Sequence, residues 1–166
     1  KRNTKKVQKN GVKVKFLSED ELPIFRSFME DTSESKEFLD RDDSYYYDRY
    51  KHFKDRVLVP LAYINFDEYL EELNNEKETL TKDLNKALKD IEKRPDNKKS
   101  LNKKANLEQQ LAANQQKIDE AKRLQAEHGN ELPISAGYFF INPFEVVYYA
   151  GGTSNKYRHF AGSYAV

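Results

Sequence analysis

Residues 40–47 (DRDDSYYY) hold the side chains best suited to binding an anionic ligand. The guanidinium of Arg41 offers two parallel N–H donors, a geometry that matches phosphate oxygens. A tyrosine four residues further on can add a hydroxyl or a stacking face. Three consecutive tyrosines leave the partner of Arg41 open between Tyr45 and Tyr46. The alternative is a solvated turn in which Arg41 pairs only with the neighbouring aspartates.

Two clusters of cationic residues are further candidates for binding phosphate groups. The first opens the chain, and the second surrounds a proline-containing turn. Their members are Lys1, Arg2, Lys5, Lys6, Lys93, Arg94, Lys98, Lys99, Lys103 and Lys104. No aromatic residue stands near the second cluster, so it would contact nucleic-acid phosphates without stacking on bases. Charged runs are also common on solvated helix faces, which is the plainer interpretation of both clusters.

Several kinds of chemistry are disfavoured by the composition. The chain has no cysteine, which excludes disulfides, a thiol nucleophile and thiolate metal ligands. His52, His128 and His159 are scattered, so we expect surface or packing roles and no metal site. The formal net charge of +1 gives no global attraction to nucleic acid. No apolar run approaches the roughly 20 residues of a membrane helix.

A long helical hairpin is predicted over residues 66–127. The apolar positions repeat with steps of three, four and seven residues on both sides of a turn at residues 94–97. They are Phe66, Leu70, Leu73, Leu80, Leu84, Ala87, Ile91, Leu107, Leu111, Ile118 and Ala121. Such a seam predicts an antiparallel coiled coil, and about 27 residues per arm would make a rod of roughly 40 Å. Pro95 cannot continue the first helix.

Before the hairpin, the sequence predicts a mixture of helices and strands. A basic helix over residues 1–9 precedes a strand over 11–17, and a capping signature at 18–21 starts a helix with Pro23 in its first turn. Residues 31–43 are polar and are predicted to be a loop. A second amphipathic helix ends near Arg56, and residues 57–66 form one buried strand.

After the hairpin, two strands at residues 134–141 and 145–150 are predicted around an Asn142-Pro143 turn. Their aromatic and β-branched side chains at 138–140 and 146–149 are expected in the core of a sheet. Gly151 and Gly152 should end the second strand, and a helix is expected to begin within residues 155–166. The strands that flank the hairpin should pair, which gives an α+β fold.

Five segments resemble one family, the Fem aminoacyltransferases of peptidoglycan synthesis. They are KRNTKKV at residues 1–7, KNGVKV at 9–14, FRSFMEDT at 25–32, NELPISAG at 130–137 and AGGTSN at 150–155. The resemblance extends over essentially all 166 residues, including the hairpin. It corresponds to a middle piece of such a protein. A start without methionine and an end within an apolar pattern also lead us to expect a fragment.

The resemblance implies a fold. Fem proteins have two subdomains similar to GNAT (acetyltransferase-like) domains, and the second carries an antiparallel helical arm similar to the tRNA-binding arm of seryl-tRNA synthetase. Residues 1–65 and 129–166 would then be two parts of the second GNAT-like subdomain, truncated at its end. Residues 66–128 would be its inserted coiled-coil arm.

The resemblance also implies a function. The enzymes transfer glycine from glycyl-tRNA, the co-substrate, to the lipid-linked peptidoglycan precursor at the inner face of the membrane, and no cofactor is needed. The member resembled here adds the second and third glycines of the pentaglycine bridge. Family members use an arginine and a tyrosine to contact the diphosphate and sugar of the precursor, matched here by Arg41 with Tyr45 or Tyr46. The cationic clusters would contact tRNA, and catalytic residues stay unassigned.

A second interpretation remains open. The chain would be a non-catalytic interaction module, in which a coiled-coil hairpin on an α+β platform docks a partner protein. The apolar seam and the near-neutral charge permit this interpretation. Both functions can coexist, because Fem proteins are also thought to associate with themselves or with one another.

Overall fold

The computed structural model of the chain describes residues 7, 10–37 and 40–166. It divides into two units, Lys1–Asn65 with Glu131–Val166, and Phe66–Asn130. The candidate residues Lys1, Arg2, Lys5 and Lys6 lie outside the described residues, as does most of the predicted basic helix.

An antiparallel sheet forms the centre of the first unit. Its strands are β1 (Val12–Phe16), β2 (Val57–Leu58), β3 (Pro60–Asn65), β4 (Glu131–Ile141) and β5 (Val146–Thr153). Strand β4 pairs with β3 and β2 along one edge and with β5 along the other, while β1 extends the sheet beyond β3. The α+β prediction is confirmed, and so is the pairing of the two strands that flank the hairpin in sequence.

Among the described residues, two longer helices pack in this unit, α1 (Leu22–Lys36) and α2 (Asp43–Phe53). A capping box between Ser18 and Glu21 opens the short 3-10 helix Glu19–Glu21 that leads into α1. Pro23 lies in the first turn of α1, where its missing N–H costs no hydrogen bond. Helix α1 packs closely on β5: a Cβ on Gly152 would clash with the carbonyl oxygen of Phe28 and the hydroxyl of Thr32.

The core of the first unit joins these helices to the sheet. It contains apolar side chains of α1, one tyrosine of α2 and residues of β2, β3, β4 and the loops beside them. Its members are Leu17, Leu22, Phe25, Phe28, Met29, Tyr46, Val57, Val59, Leu61, Ala136 and Tyr138. The Tyr138 hydroxyl donates to the carbonyl oxygen of Tyr46 at 3.1 Å, which ties β4 to α2 inside the core.

The second unit consists of two helices, α3 (Phe66–Lys93) and α4 (Lys98–His128), as predicted. Their antiparallel pairing is marked by hydrogen bonds from Lys77 to Gln115 at 2.7 Å and from Gln125 to Asp67 at 2.8 Å. The turn between them ends at Asn97, whose side chain caps α4. Whether the pair supercoils as a coiled coil stays a prediction.

Four secondary-structure predictions were wrong in detail. Helix α1 continues through the polar residues 31–36, which were predicted as loop. The strand predicted at 57–66 is two strands interrupted at Val59, and β5 continues through both glycines to Thr153. Residues 155–166 form only the short 3-10 helices Arg158–Phe160 and Gly162–Tyr164.

The aromatic and β-branched residues of β4 and β5 were predicted to lie in the core, and most do not. Tyr138 is fully buried, while Phe139 and Phe140 are half-buried. Residues 146–149 of β5 are exposed, Tyr148 by 60%. The two strands therefore extend beyond the part of the sheet that α1 covers, and their side chains there are available to line cavities.

Asn114 occupies a gap in the predicted seam of α4. It lies between Leu111 and Ile118 and is 3% exposed. Its amide nitrogen donates to the carbonyl oxygen of Leu73 and to Glu76, at 3.2 and 3.1 Å. Its Oδ1 has no hydrogen-bond partner within the described residues. A buried amide in a helical seam fixes the register at a cost in stability.

Replacing this amide should therefore stabilise the hairpin. We expect Asn114→Leu to raise the free energy of unfolding by about 1 kcal/mol, because it removes an unsatisfied buried acceptor and adds apolar contact. Gln116→Leu, at an exposed position of the same helix, serves as the control and should change stability little. Thermal and urea unfolding measure both, and a clear loss of stability in Asn114→Leu would contradict this view of the seam.

Candidate functional site

A buried ion-pair network holds the loop that carries Arg41. The guanidinium of Arg26, on α1, donates to Asp43 at 2.8 Å and to the carboxylate of Asp40. The side chains of Arg26 and Asp40 are each only 10% exposed. Burial lowers the pKa of Arg26, but its hydrogen bonds to Asp43 and Asp40 outweigh this effect and leave the pKa above its ordinary value.

The remaining aspartate of this loop, Asp42, is the N-cap of helix α2. The Asp42 side chain accepts hydrogen bonds from the Ser44 hydroxyl at 2.8 Å and from the Tyr45 backbone N–H at 2.9 Å, and both lower its pKa. All three aspartates beside Arg41 have partners other than its guanidinium, and Asp40 Oδ1 also accepts the backbone N–H of Arg41 at 2.8 Å. Among the described residues, no carboxylate pairs with the guanidinium of Arg41, which is exposed. This charge is therefore available to a ligand.

Tyr45 brings two arginines together. The Arg41 guanidinium lies 5.3 Å from the centre of the Tyr45 ring, and that of Arg49 lies 3.3 Å from it. The Arg49 guanidinium also donates to the Tyr45 carbonyl oxygen at 3.2 Å. The Tyr45 hydroxyl is hydrogen-bonded to the hydroxyl of Tyr149 on β5, and burial followed by this hydrogen bond raises the pKa of Tyr149. Two guanidinium groups beside one ring supply the positive charge that a doubly charged anion would need.

Tyr46 has a different environment. It is 2% exposed, contacts Phe25 edge-on with ring centres 5.1 Å apart, and donates to Asp40 at 3.0 Å. Burial, and then the hydrogen bond to Asp40, raises the pKa of its hydroxyl. The sequence left the partner of Arg41 open between Tyr45 and Tyr46. Of the two, Tyr45 lies beside Arg41 at the surface, while Tyr46 belongs to the core.

A groove of about 580 Å³ adjoins Tyr45, and we refer to it as the aromatic groove. It runs between α2, the 3-10 helix Lys54–Arg56 that follows it, the end of β4 and the first half of β5. Its lining consists of Tyr45, Asp48, Arg49, His52, Phe53, Arg56, Phe140, Ile141, Asn142 and Tyr149. Four aromatic rings and two arginines dominate this surface. It is suited to a ligand that has both apolar and anionic parts.

A second cavity, of about 760 Å³, is rich in hydroxyl groups, and we refer to it as the hydroxyl cavity. It is lined by α1, β4, β5 and the last residues of the chain. The Ser135 hydroxyl donates to the carbonyl oxygen of Gly152 at 2.9 Å, and it is also hydrogen-bonded to the hydroxyl of Thr153 at 2.8 Å. Lys36 and Arg158 supply positive charge, and none of the lining side chains is a carboxylate or an imidazole. The hydroxyl groups of this cavity can hydrogen-bond a peptide.

The turn of the hairpin carries the six predicted cations, which we call the tip cluster: Lys93, Arg94, Lys98, Lys99, Lys103 and Lys104. Lys104 lies 3.6 Å from Glu108. In the described part of the chain, the other five have no carboxylate partner. The first turn of α4 contains no acidic residue, so Lys98 and Lys99 oppose the helix dipole. An anion at this end would relieve that unfavourable arrangement.

The three histidines are dispersed. His52 lines the aromatic groove with Nδ1 2.6 Å from the carbonyl oxygen of Asp48, His128 lies 3.5 Å from Glu127, and the His159 ring packs on Phe160. Within residues 7, 10–37 and 40–166, no three metal-binding side chains gather in one place. No described helix is both long and apolar enough to cross a membrane.

Sequence reasoning missed Arg49 and Arg56 as site residues and did not single out Tyr149 from the tyrosines of β4 and β5. Arg49 carried a local signal, because it follows Tyr45 by four residues on the same helix and must share its face. Tyr149 carried none: it is 104 residues from Tyr45 in sequence, and only the pairing of β4 with β5 brings it there.

The chain superposes on a crystal structure of FemX with a TM-score of 0.81, over 98% of this chain and 42% of that one. Sequence identity is 24%, so this likeness concerns the fold alone. The two chains share the arrangement of helices and antiparallel sheet described above.

The model of the FemAB family matches residues 1–166, and the chain belongs to this family. It is 82% identical over 166 residues to aminoacyltransferase FemA of Staphylococcus epidermidis RP62A and 81% identical to that of Staphylococcus aureus MW2. The chain spans 40% of the length of these relatives.

The Arg26 network makes a quantitative prediction about stability. Asp40→Ala should lower the free energy of unfolding by about 3 kcal/mol, because it leaves the Arg26 guanidinium buried without its main partner. Asp43→Ala should cost much less, since the Asp43 side chain is 73% exposed. Chemical denaturation measures both variants, and equal losses would contradict the assignment of Asp40 as the main partner of Arg26.

Proposed function

We propose that this chain forms part of an aminoacyltransferase that transfers glycine from glycyl-tRNA to the lipid-linked peptidoglycan precursor. Identity of 81–82% to proteins named aminoacyltransferase FemA supports the reaction class. The observation in the structure that carries the proposal is the unpaired guanidinium of Arg41, held with Arg49 around the ring of Tyr45. The products would be the second and third glycines of the pentaglycine bridge, added at the inner face of the membrane.

The acceptor substrate would bind through its diphosphate. Arg41 and Arg49 supply two planar donor groups at one site, and the Tyr45 ring holds both in place. Planar guanidinium groups bind phosphate oxygens in pairs, which fixes the orientation of the ligand as well as its charge. The hydroxyl cavity offers hydrogen-bonding groups for the peptide part of the precursor. Tyr46, buried against Asp40, would support this site from the core and not contact the ligand.

The donor substrate would bind through the tip cluster. Five of its six cations have no acidic partner among the described residues, and two of them stand at a helix N-terminus. Phosphates of a tRNA would supply the missing negative charge, and the interaction would depend strongly on salt. The N-terminal cations Lys1, Arg2, Lys5 and Lys6 would add to this attraction. No cofactor or metal is required by the reaction.

The reaction itself would be aminolysis of an ester. The neutral amine of the acceptor attacks the carbonyl carbon of the glycyl ester, a C–N bond forms, and the C–O bond to the terminal ribose breaks. The amine loses a proton and the ribose hydroxyl gains one. Such a reaction needs positioning and stabilisation of the tetrahedral oxyanion, and no nucleophilic residue of the enzyme. We assign no catalytic residue.

We further propose that the sheet and its helices are a GNAT-like subdomain, and that the hairpin is an inserted coiled-coil arm. On this proposal, the GNAT-like subdomain comprises residues 1–65 and 129–166, and the arm comprises residues 66–128. The heptad-like spacing of buried Leu107, Asn114 and Ala121 supports the coiled coil. Self-association, or association with related Fem proteins, is a further proposal for the exposed surfaces of the chain.

Two variants test the substrates separately and act as controls for each other. Both are made in a chimaera in which this chain replaces the matching segment of full-length S. aureus FemA. Arg41→Ala should raise the KM for the precursor about tenfold or more, because a bidentate charged contact is lost. The pair Lys98→Gln and Lys99→Gln should raise the KM for glycyl-tRNA about tenfold and reduce its salt dependence. Each variant should leave the other KM unchanged.

The measurement is the transfer of labelled glycine to the monoglycyl form of the precursor, with each substrate varied in turn. If the folded chimaera transfers no glycine under conditions where S. aureus FemA does, the enzymatic proposal fails and the interaction module takes its place. If both KM values move together in either variant, the separate assignment of the two sites is wrong.

A further inference from the structure

The antiparallel ribbon of β4 and β5 ends in an exposed apolar turn. We refer to residues 139–149, which contain this turn and the strand ends beside it, as the ribbon end. The Phe144 side chain is 96% exposed, and Val146, the first residue of β5, is 61% exposed. Both side chains would gain free energy by leaving water, and the first unit does not cover them.

The ribbon end is apolar on both faces. Phe140 pairs with Val147 on the face of the aromatic groove, and Phe139 pairs with Tyr148 on the face of the hydroxyl cavity. Residues 146–149 are all exposed. A strand with one face in water normally alternates apolar and polar side chains, and this segment does not. A protein docked on one face would leave the other in water, whereas a lipid surface can surround both.

The backbone of the turn can leave water at little cost. The Asn142 N–H donates to the carbonyl oxygen of Glu145 at 3.0 Å, and Asn142 Oδ1 accepts the N–H groups of Phe144 and Glu145 at 2.9 and 3.0 Å. Pro143 has no N–H to satisfy. Every backbone N–H of residues 142–145 therefore has a partner within the turn. Unpaired backbone donors are what normally keep a loop out of an apolar medium.

Positive charge accompanies the ribbon end. Arg49 and Arg56 line the aromatic groove together with Ile141 and Asn142. Residues 48–56 and the ribbon end contain four basic and three acidic side chains, which gives a net charge of +1. An anionic lipid surface complements this charge, although the attraction is small. The apolar side chains should therefore supply most of the affinity.

We infer that the ribbon end is a membrane-contact surface, which inserts Phe144 and Val146 shallowly into an anionic lipid bilayer. Tyr148 would lie at the level of the headgroups, where an amphipathic ring is favoured. The exposed carboxylate of Glu145 also belongs at that level, which limits the depth of insertion. The proposed function names a lipid-linked substrate but no surface that contacts the bilayer. This assignment rests on it only for the presence of a bilayer at the site of reaction.

Sedimentation with lipid vesicles tests this assignment in the full-length chimaera. One set of vesicles contains equal parts of phosphatidylglycerol and phosphatidylcholine, and the other contains phosphatidylcholine alone. We expect binding to both, about threefold tighter to the anionic set because the net charge is small. Binding should persist in about 0.5 M sodium chloride, which screens exposed charges. Absence of binding, or its complete loss in salt, would overturn the assignment, and the latter would point to the cationic clusters.

Variants then locate the contact. Phe144→Ala should weaken vesicle binding about fivefold, while Phe144→Leu, which stays apolar, should retain most of it. Phe16→Ala is the matched control, because Phe16 is also a largely exposed phenylalanine but belongs to β1. Thermal unfolding verifies that each variant is folded. Equal effects of Phe144→Ala and Phe16→Ala would overturn the assignment.

A second copy of the chain is the other occupant that the experiment can detect. Light scattering without lipid measures the oligomeric state. A dimer that Phe144→Ala converts to a monomer, with no vesicle binding, would overturn the membrane assignment in favour of self-association. A monomer that binds vesicles through Phe144 supports it.

Vesicle binding is measured without glycyl-tRNA or precursor, so the two proposals can fail separately. A chimaera that binds vesicles through Phe144 but transfers no glycine would contradict the proposed function and support the membrane-contact surface. A chimaera that transfers glycine but does not bind vesicles would contradict the membrane-contact surface alone.

Discussion

The ion pair between Arg26 and Asp40 is the constraint on which the candidate site depends. A charged pair with side chains only 10% exposed is costly to bury. Removing either partner would cost more, because it would leave the other charge buried and unpaired. The pair fastens the loop before α2 to helix α1. Arg26 pairs with the carboxylates of Asp40 and Asp43, and neither of these pairs with the guanidinium of Arg41. The Arg41 guanidinium therefore stays available at the surface.

The positions of the other site residues follow from this fixed loop. Asp42 caps α2 directly after it, and the helical repeat then sets Tyr45 and Arg49 on one face and turns Tyr46 into the core. Inside the core, the Tyr138 hydroxyl reaches the carbonyl oxygen of Tyr46 and ties α2 to β4. Successive side chains of β4 point to opposite faces of the sheet, so Phe139 lines the hydroxyl cavity and Phe140 lines the aromatic groove.

Much of the fold could be predicted because its signals are local. The spacing of apolar residues in α3 and α4, and Pro95 between them, are properties of short stretches. Helix α1 was predicted too short because its last turns are polar and carry no apolar period. That Tyr45 lies next to Tyr149 could not be predicted in this way, because it depends on a contact between residues 104 apart in sequence. The sequence named Arg41 as a candidate, but the reason its charge is available lies in the tertiary structure.

The most direct test of this account is the KM for the lipid-linked precursor in an Asp40→Asn variant of the chimaera, assayed below its unfolding temperature. The variant leaves every side chain that is proposed to contact the ligand unchanged, and it removes the charge that anchors the loop. The account predicts that the KM for the precursor rises about tenfold, because Arg41 is no longer held beside Tyr45, while the KM for glycyl-tRNA stays unchanged. An unchanged KM for the precursor would contradict the claim that this ion pair positions the site.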